Sequence, residues 1–172
     1  MKTYVITLSV SFMAKHPRAG EPTFFKEKLL NVLEKRNYID VREDWNLIRI
    51  TSRKKHTIRT NYSLWKKRID EVTKGEAVLS IRQWTGKPYA SKQMEIARLT
   101  KEDGVGIQKL TFKENLWYEP IIDECYEAHI ETLASNDGLG WNDWFHWFKD
   151  APKDCEYAII HFSKFRYRHK ED

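Results

Sequence analysis

The chain has 172 residues, 41% hydrophobic and 32% charged. That balance supports one packed domain and excludes a disordered polyelectrolyte or a mini-protein that needs staples. Its 30 Lys and Arg against 25 Asp and Glu leave a net +5, a hint of a polyanionic partner. No apolar run approaches the ~20 residues of a membrane helix, and the N-terminal stretch lacks a signal-peptide cleavage site. The two cysteines, Cys125 and Cys155, make no disulfide framework, so a reduced, cytoplasmic protein without membrane attachment is expected.

In chain order, residues 3–10 alternate and are β-branched, which predicts a strand. Pro17, Gly20 and Pro22 mark 11–22 as a loop. Thr23 opens a helix to about Asn37, with Phe24, Phe25, Leu29, Val32 and Leu33 on or near one face. Trp45–Thr51 is a second predicted strand. Ser63 is a plausible N-cap for a helix through Thr73 that ends at Gly75. Strands are predicted over 76–84, 93–100 and 105–112, with Asp103-Gly104 as hairpin chemistry between the last two. An acidic helix is read near 121–134 and an aromatic helix from Trp141. In the aromatic helix Trp141, Trp144, Phe145 and Phe148 are expected to face the core. A last strand over 156–163 precedes a basic tail. About six closely spaced strands and four helices, with no repeat or compositional break, predict a single α+β domain. Its sheet would be small and curved or barrel-like, with helices packed outside.

Charge is unevenly placed. Trp45–Ile69 contains no acid and carries +8, whereas Glu114–Asp137 contains no Lys or Arg and carries −7. Within the positive window the densest constellation is Lys54-Lys55-His56-Thr57-Ile58-Arg59. A strand would place Lys55, Thr57 and Arg59 on one face, joined by Lys54 if the segment bends. Such a group binds a phosphate or polarises a carbonyl, and His56 reads as exposed. Trp65, Trp84 and Tyr89 are candidates for stacking on a base, and Lys87 and Lys92 in the turn after Trp84 for a phosphate. Asp137 reads first as a helix N-cap or Asx-turn before Gly138. Cys125, His129, Cys155 and His161 match no compact zinc spacing, so no metal is expected. With no phosphate loop, nucleophile elbow or dinucleotide fingerprint, no cofactor is expected either.

The order Lys-x-x-Thr-x-Arg (Lys54, Thr57, Arg59), short helix, Lys74-Gly75-Glu76 and apolar strand resembles the ASCH domain, a PUA-like β-barrel. The late segment SNDGLGWNDWFHWF and the closing strand YAIIHFSKF fit the same pattern. The likeness spans most of the chain, from the first strand to the last, so 1–172 is expected to be one such domain, with the loop 11–22 and the acidic helix near 121–134 as elaborations. Glu76 departs from the family's Asp at that turn. The resemblance implies a domain that binds RNA or a nucleotide in a cleft lined by Lys54, Lys55, Thr57 and Arg59, with Trp84 and Lys87 nearby. One branch, the acetylcytidine amidohydrolases, uses the motif's Lys and Thr with a later Glu to cleave an acyl amide. Carried over, the catalytic set is Lys54, Thr57 and Asp137, the last a carboxylate shorter by one methylene. In that chemistry a hydroxyl needs a base, and Lys54 becomes one when burial or its neighbours Arg53 and Lys55 lower its pKa. A third expectation is an interaction module whose acidic region docks a basic partner.

Overall fold

A computed structural model describes residues 1–33 and 52–168. The predicted strand Trp45–Thr51 and the end of the first predicted helix lie outside the described residues. The alternating start of the chain forms β1 (Lys2–Thr7). The loop that follows is tied off by a Ser11–Pro22 bridge. Helix α1 (Phe25–Val32) then begins, with Phe25 and Leu29 turned into the core. The Thr23 hydroxyl fixes its entry by donating to Ser9 O at 2.7 Å and accepting from the Phe25 amide at 3.3 Å.

The basic segment becomes β2 (His56–Thr60) and α2 (Tyr62–Thr73). The cap of α2 is Asn61, not Ser63: its side chain accepts from the Leu64 amide at 3.1 Å. Trp65, Ile69 and Val72 form the buried face. Trp65 is thus core and not a base-contacting ring. The apolar run after Gly75 forms β3 (Ala77–Trp84), and β4 (Gln93–Leu99) returns antiparallel to it, with a register shift at Ile81/Arg82. β1 pairs parallel to β3 on its other side, giving the order β1-β3-β4.

Asp103-Gly104 does not make a hairpin. Asp103 instead closes a capping box with Thr100 over a 3-10 turn, and Gly104 at φ 78° leads the chain out of this sheet. The next strand, β5 (Gly106–Phe112), belongs to a second sheet with β6 (Pro120–Ile122) and β7 (Tyr126–Glu127). The acidic stretch is therefore a small hairpin and not a helix over 121–134. Asp123 and Glu124 both adopt positive φ at the turn, which breaks any helix there. Helix begins only with α3 (Ile130–Asn136), followed by α4 (Trp141–Phe148). The last strand, β8 (Tyr157–His161), inserts between β2 and β5, giving β2-β8-β5-β6-β7, all antiparallel.

The described residues thus form an α+β fold of eight strands in two sheets with four α-helices. No pairing among the described residues closes the strands into a ring. Helix α2 packs on β3 of one sheet and on β5 and β8 of the other, so its apolar face joins the two. In α4, Trp144 is fully buried, Trp147 and Phe148 are part-buried against the core, and Trp141 and Phe145 lie at the surface. The inward stripe is thus shifted from the one expected. No helix of the described residues is long and apolar enough to cross a membrane.

Every residue of β8 is buried. Ile159→Ala in this central strand is expected to cost about 2–5 kcal/mol, as large-to-small core changes do. Val5→Ala, at a position 37% exposed, is expected to stay within about 0.5 kcal/mol of the parent. Urea unfolding of both variants checks the pair.

Candidate functional site

The site forms where the segment before β2 meets the end of α3. Lys54 and Asp137 pair as an isolated antiparallel bridge. The Lys55 amide donates to Asn136 O at 2.7 Å and the Lys54 amide to Lys28 O at 3.0 Å. Asp137 is thus the C-cap of α3, not an N-cap; its amide donates back to Leu133 O and Ala134 O. Gly138 follows at φ 85°, and a Cβ there would stand 3.1 Å from Lys54 Cβ, so the turn needs glycine twice over.

This backbone arrangement aims Lys54 at the helix end. Its Nζ donates to Asp137 Oδ1 and to the Asp137 carbonyl, each at 2.6 Å, the placement a helix C-terminus favours for a cation. Lys54 is 2% and Asp137 3% exposed, so the pair is desolvated. Phe25 covers the ammonium, with its ring centroid 4.2 Å away. Burial pushes Lys54 below the ordinary lysine value, Asp137 opposes that shift, and Arg59 adds to it. Arg59, and not Arg53 or Lys55, is therefore the neighbouring cation that matters. Burial likewise raises the Asp137 carboxyl, against the pull of Lys54 and Arg59. The two shifts run toward one another.

Thr57 and Arg59 alternate along β2 toward the same space, as the period of two predicts. They line a small cavity of about 80 Å³ with Lys54, Asp137, Ser9 and Trp147. Thr57 is 3% exposed, and its hydroxyl has no hydrogen-bond partner among the described residues. Arg59 Nη2 donates to Thr7 O at 2.8 Å. Lys55 turns away, with Nζ 4.4 Å from the Phe165 ring centroid. A larger cleft of about 520 Å³ shares the Thr7–Ser9 segment as a wall and reaches Trp84 and Tyr89. Lys87 lies in the exposed turn, outside that lining. The structure therefore joins Lys54, Thr57, Arg59 and Asp137 and places Trp84 in the adjoining cleft. Lys55 and Lys87 stand apart.

Two groups of residues were not anticipated. Lys28 Nζ donates to Gly138 O at 2.7 Å, and burial, with Lys54 and Arg18 nearby, lowers its pKa to about 8. The periodicity of α1 set its lysines opposite the apolar face, so no sequence signal pointed to Lys28. On the far face of β2, His56 is buried rather than exposed. Its Nε2 lies 2.7 Å from Tyr167 Oη, which also accepts from Asn136 Nδ2 at 3.0 Å. His56 Nδ1 stands 4.0 Å from Asp137 Oδ1. His161 Nε2 donates to Gln108 Oε1 at 3.0 Å, and the Tyr167 amide donates to the same oxygen at 2.9 Å. A tail read only as basic thus carries Tyr167, the hub of this network. Among the described residues no three His, Cys, Asp or Glu side chains gather into a metal-holding group.

No protein-family model, no curated protein and no solved structure matches the chain.

Two outcomes are expected. Asp137→Ala strands Lys54 in the interior and costs about 3–5 kcal/mol, whereas Lys54→Met/Asp137→Leu loses less, because no charge remains buried. Chemical denaturation of both variants measures the difference. The second concerns acid. Burial holds His161 neutral, with its pKa lowered from 6.5 to about 3, and His56 is shifted the same way. The unfolded chain binds these protons first, so stability is full above pH 6.5 and falls between there and about 3. The slope is about 1.4 kcal/mol per pH unit for each proton, read from urea midpoints across that range. His161→Gln should flatten it.

Proposed function

We propose that this chain is a PUA-like ASCH protein acting as an amidohydrolase on an acylated nucleoside. The observation that carries the reading is the 2.6 Å contact of Lys54 Nζ with Asp137 Oδ1 in a small pocket beside Thr57. These are the three residues that the Lys-x-x-Thr resemblance nominates. The two-sheet arrangement joined by α2 is compatible with an open barrel of that type.

The chemistry follows from the groups present. Thr57 Oγ1 attacks the acyl carbonyl carbon as its proton passes to the Lys54–Asp137 pair, whose carboxylate accepts it. The carbonyl oxygen becomes an oxyanion facing Arg59, a charge fixed by its bonds to Thr7 O and the backbone. The C–N bond then breaks. The leaving nitrogen takes a proton from the Lys54–Asp137 pair, leaving an acyl ester on Thr57. Water adds to the ester, its proton passes to the same pair, and the carboxylic acid leaves while the Thr57 hydroxyl re-forms. The cavity of about 80 Å³ suits a small acyl group.

An RNA-binding reading draws less support from the same residues. Lys54 is spent on Asp137, Arg59 points inward and Lys55 lies over Phe165, so they do not line an open groove for a phosphate backbone. As for a docking role, Glu124 pairs with Lys109 and Glu127 with Lys113, which reduces the free charge of the acidic region.

Acetylcytidine is the test substrate. Thr57→Val, which keeps shape and loses the hydroxyl, should lower kcat by about a thousandfold or more. Asp137→Asn should lower it by about 10²–10⁴-fold. Rapid-quench mass spectrometry should find one acetyl group on Thr57. Full turnover by Thr57→Val would remove the nucleophile from the scheme.

A further inference from the structure

The larger cleft is unlike the rest of the surface. In a chain with 30 Lys and Arg, none of its lining residues carries a charge. Its polar groups are neutral: Thr7, Ser9, Ser11 and Gln93. At one end stand Trp84 and Tyr89, with ring centroids 5.2 Å apart and planes inclined by 51°. Tyr89 is 92% exposed and its backbone is held at φ 63°. A bulky residue rarely adopts that conformation, and such strain concentrates at ligand sites. A tyrosine left almost wholly in water beside a tryptophan contributes little to the core. The pair gives an aromatic wall to a space of about 520 Å³, the size of a small-molecule site.

We propose that the Trp84–Tyr89 cleft is a subsite for the base of an unphosphorylated nucleoside, and that it admits nucleosides in preference to nucleotides. The aromatic wall takes the flat face of the base by stacking, which tolerates any base because each has a π-face. The neutral hydroxyls and amide meet its edge and the sugar. A phosphate would enter without an Arg or Lys to receive it and would lose its hydration uncompensated. Thr7–Ser9 is common to both cavities, so the cleft adjoins the pocket that holds Thr57. Presentation of the base's exocyclic group to Thr57 rests on the amidohydrolase reading; the subsite itself does not.

Calorimetric titration of the full chain with cytidine, uridine, adenosine and guanosine, and with their 5′-monophosphates, is the test. At least one nucleoside should bind. Its Kd should rise about tenfold or more in Trp84→Ala and in Tyr89→Ala, and its monophosphate should bind no more tightly. The Tyr89 side chain lies at the surface, so its removal leaves the fold intact. Binding of no nucleoside, an unchanged Kd in Tyr89→Ala, or a monophosphate bound tenfold more tightly would each overturn the proposal. If nucleosides bind as described and acetylcytidine is never cleaved, the hydrolase reading fails and the subsite stands.

Discussion

The buried ion pair between Lys54 and Asp137 constrains the molecule more than any other interaction. Removing both charges from water is expensive, and the attraction between them repays that only when the geometry is good and the remaining hydrogen-bonding capacity is used. Here Lys54 meets the side chain and the carbonyl of the same residue at 2.6 Å, and the phenyl face of Phe25 covers it. The backbone is arranged around this contact. The Lys54–Asp137 bridge ties the segment before β2 to the end of α3, the Lys54 amide ties it to α1, and Gly138 gives the lysine stem its room. Aliphatic residues would fill the same volume at lower desolvation cost. A charged pair retained at that cost, beside a cavity, is more readily explained by chemistry than by stability.

The same contact resolves the uneven charge along the chain. Lys54 belongs to the acid-free +8 window and Asp137 is the last acid of the −7 window, so the fold brings the two blocks together instead of displaying them on opposite sides. Elsewhere Lys66 pairs with Asp70, Lys109 with Glu124 and Glu156, and Lys113 with Glu127. Arg68 lies over Tyr4 and Trp65. Charge density in sequence is a poor guide to surface potential when members of a block are buried or half-buried, as Lys54 and Arg59 are here, and others are paired or lie over rings. That is why +8 in a window points to a groove on paper and to a small pocket in space.

What was legible follows the range of each signal. Period-two alternation located β1, β3, β4, β5 and β8, and period 3.6 located α2. Both are local properties of one segment. Strand pairing was not legible. Asp103-Gly104 has hairpin composition, yet Asp103 bonds back to Thr100 and the chain passes to another sheet. The stretch after Pro120 is acidic and reads as a helix, but its turn accepts positive φ at two acids, while Asp123 receives the Lys109 amide at 2.8 Å and Gln108 Nε2 at 2.9 Å. His56 lies among cations, which suggested exposure. Only the fold shows that its strand is covered by Tyr167 from the far end of the chain. The Lys54, Thr57 and Asp137 grouping was reachable through spacing and resemblance, but the direction of each side chain was not.

On the proposed reading, the two cavities divide what a hydrolase must do. Recognition benefits from a neutral, roomy, partly aromatic wall, where a ligand gains from stacking and loses little solvation. Bond cleavage benefits from a small, desolvated space in which a few charges act at high strength. Merging the two would wet the charges or charge the cleft. Thr7 lines both: its carbonyl accepts from Arg59 Nη2, and its hydroxyl accepts from Gln93 Nε2 at 3.3 Å. The end of β1 is therefore held from both sides by residues of different sheets, Arg59 on β2 and Gln93 on β4. Any shift of the two sheets relative to one another would move the partition between binding and chemistry. The apolar face of α2, packed on both sheets, is then part of the site's machinery although no atom of it lines either cavity.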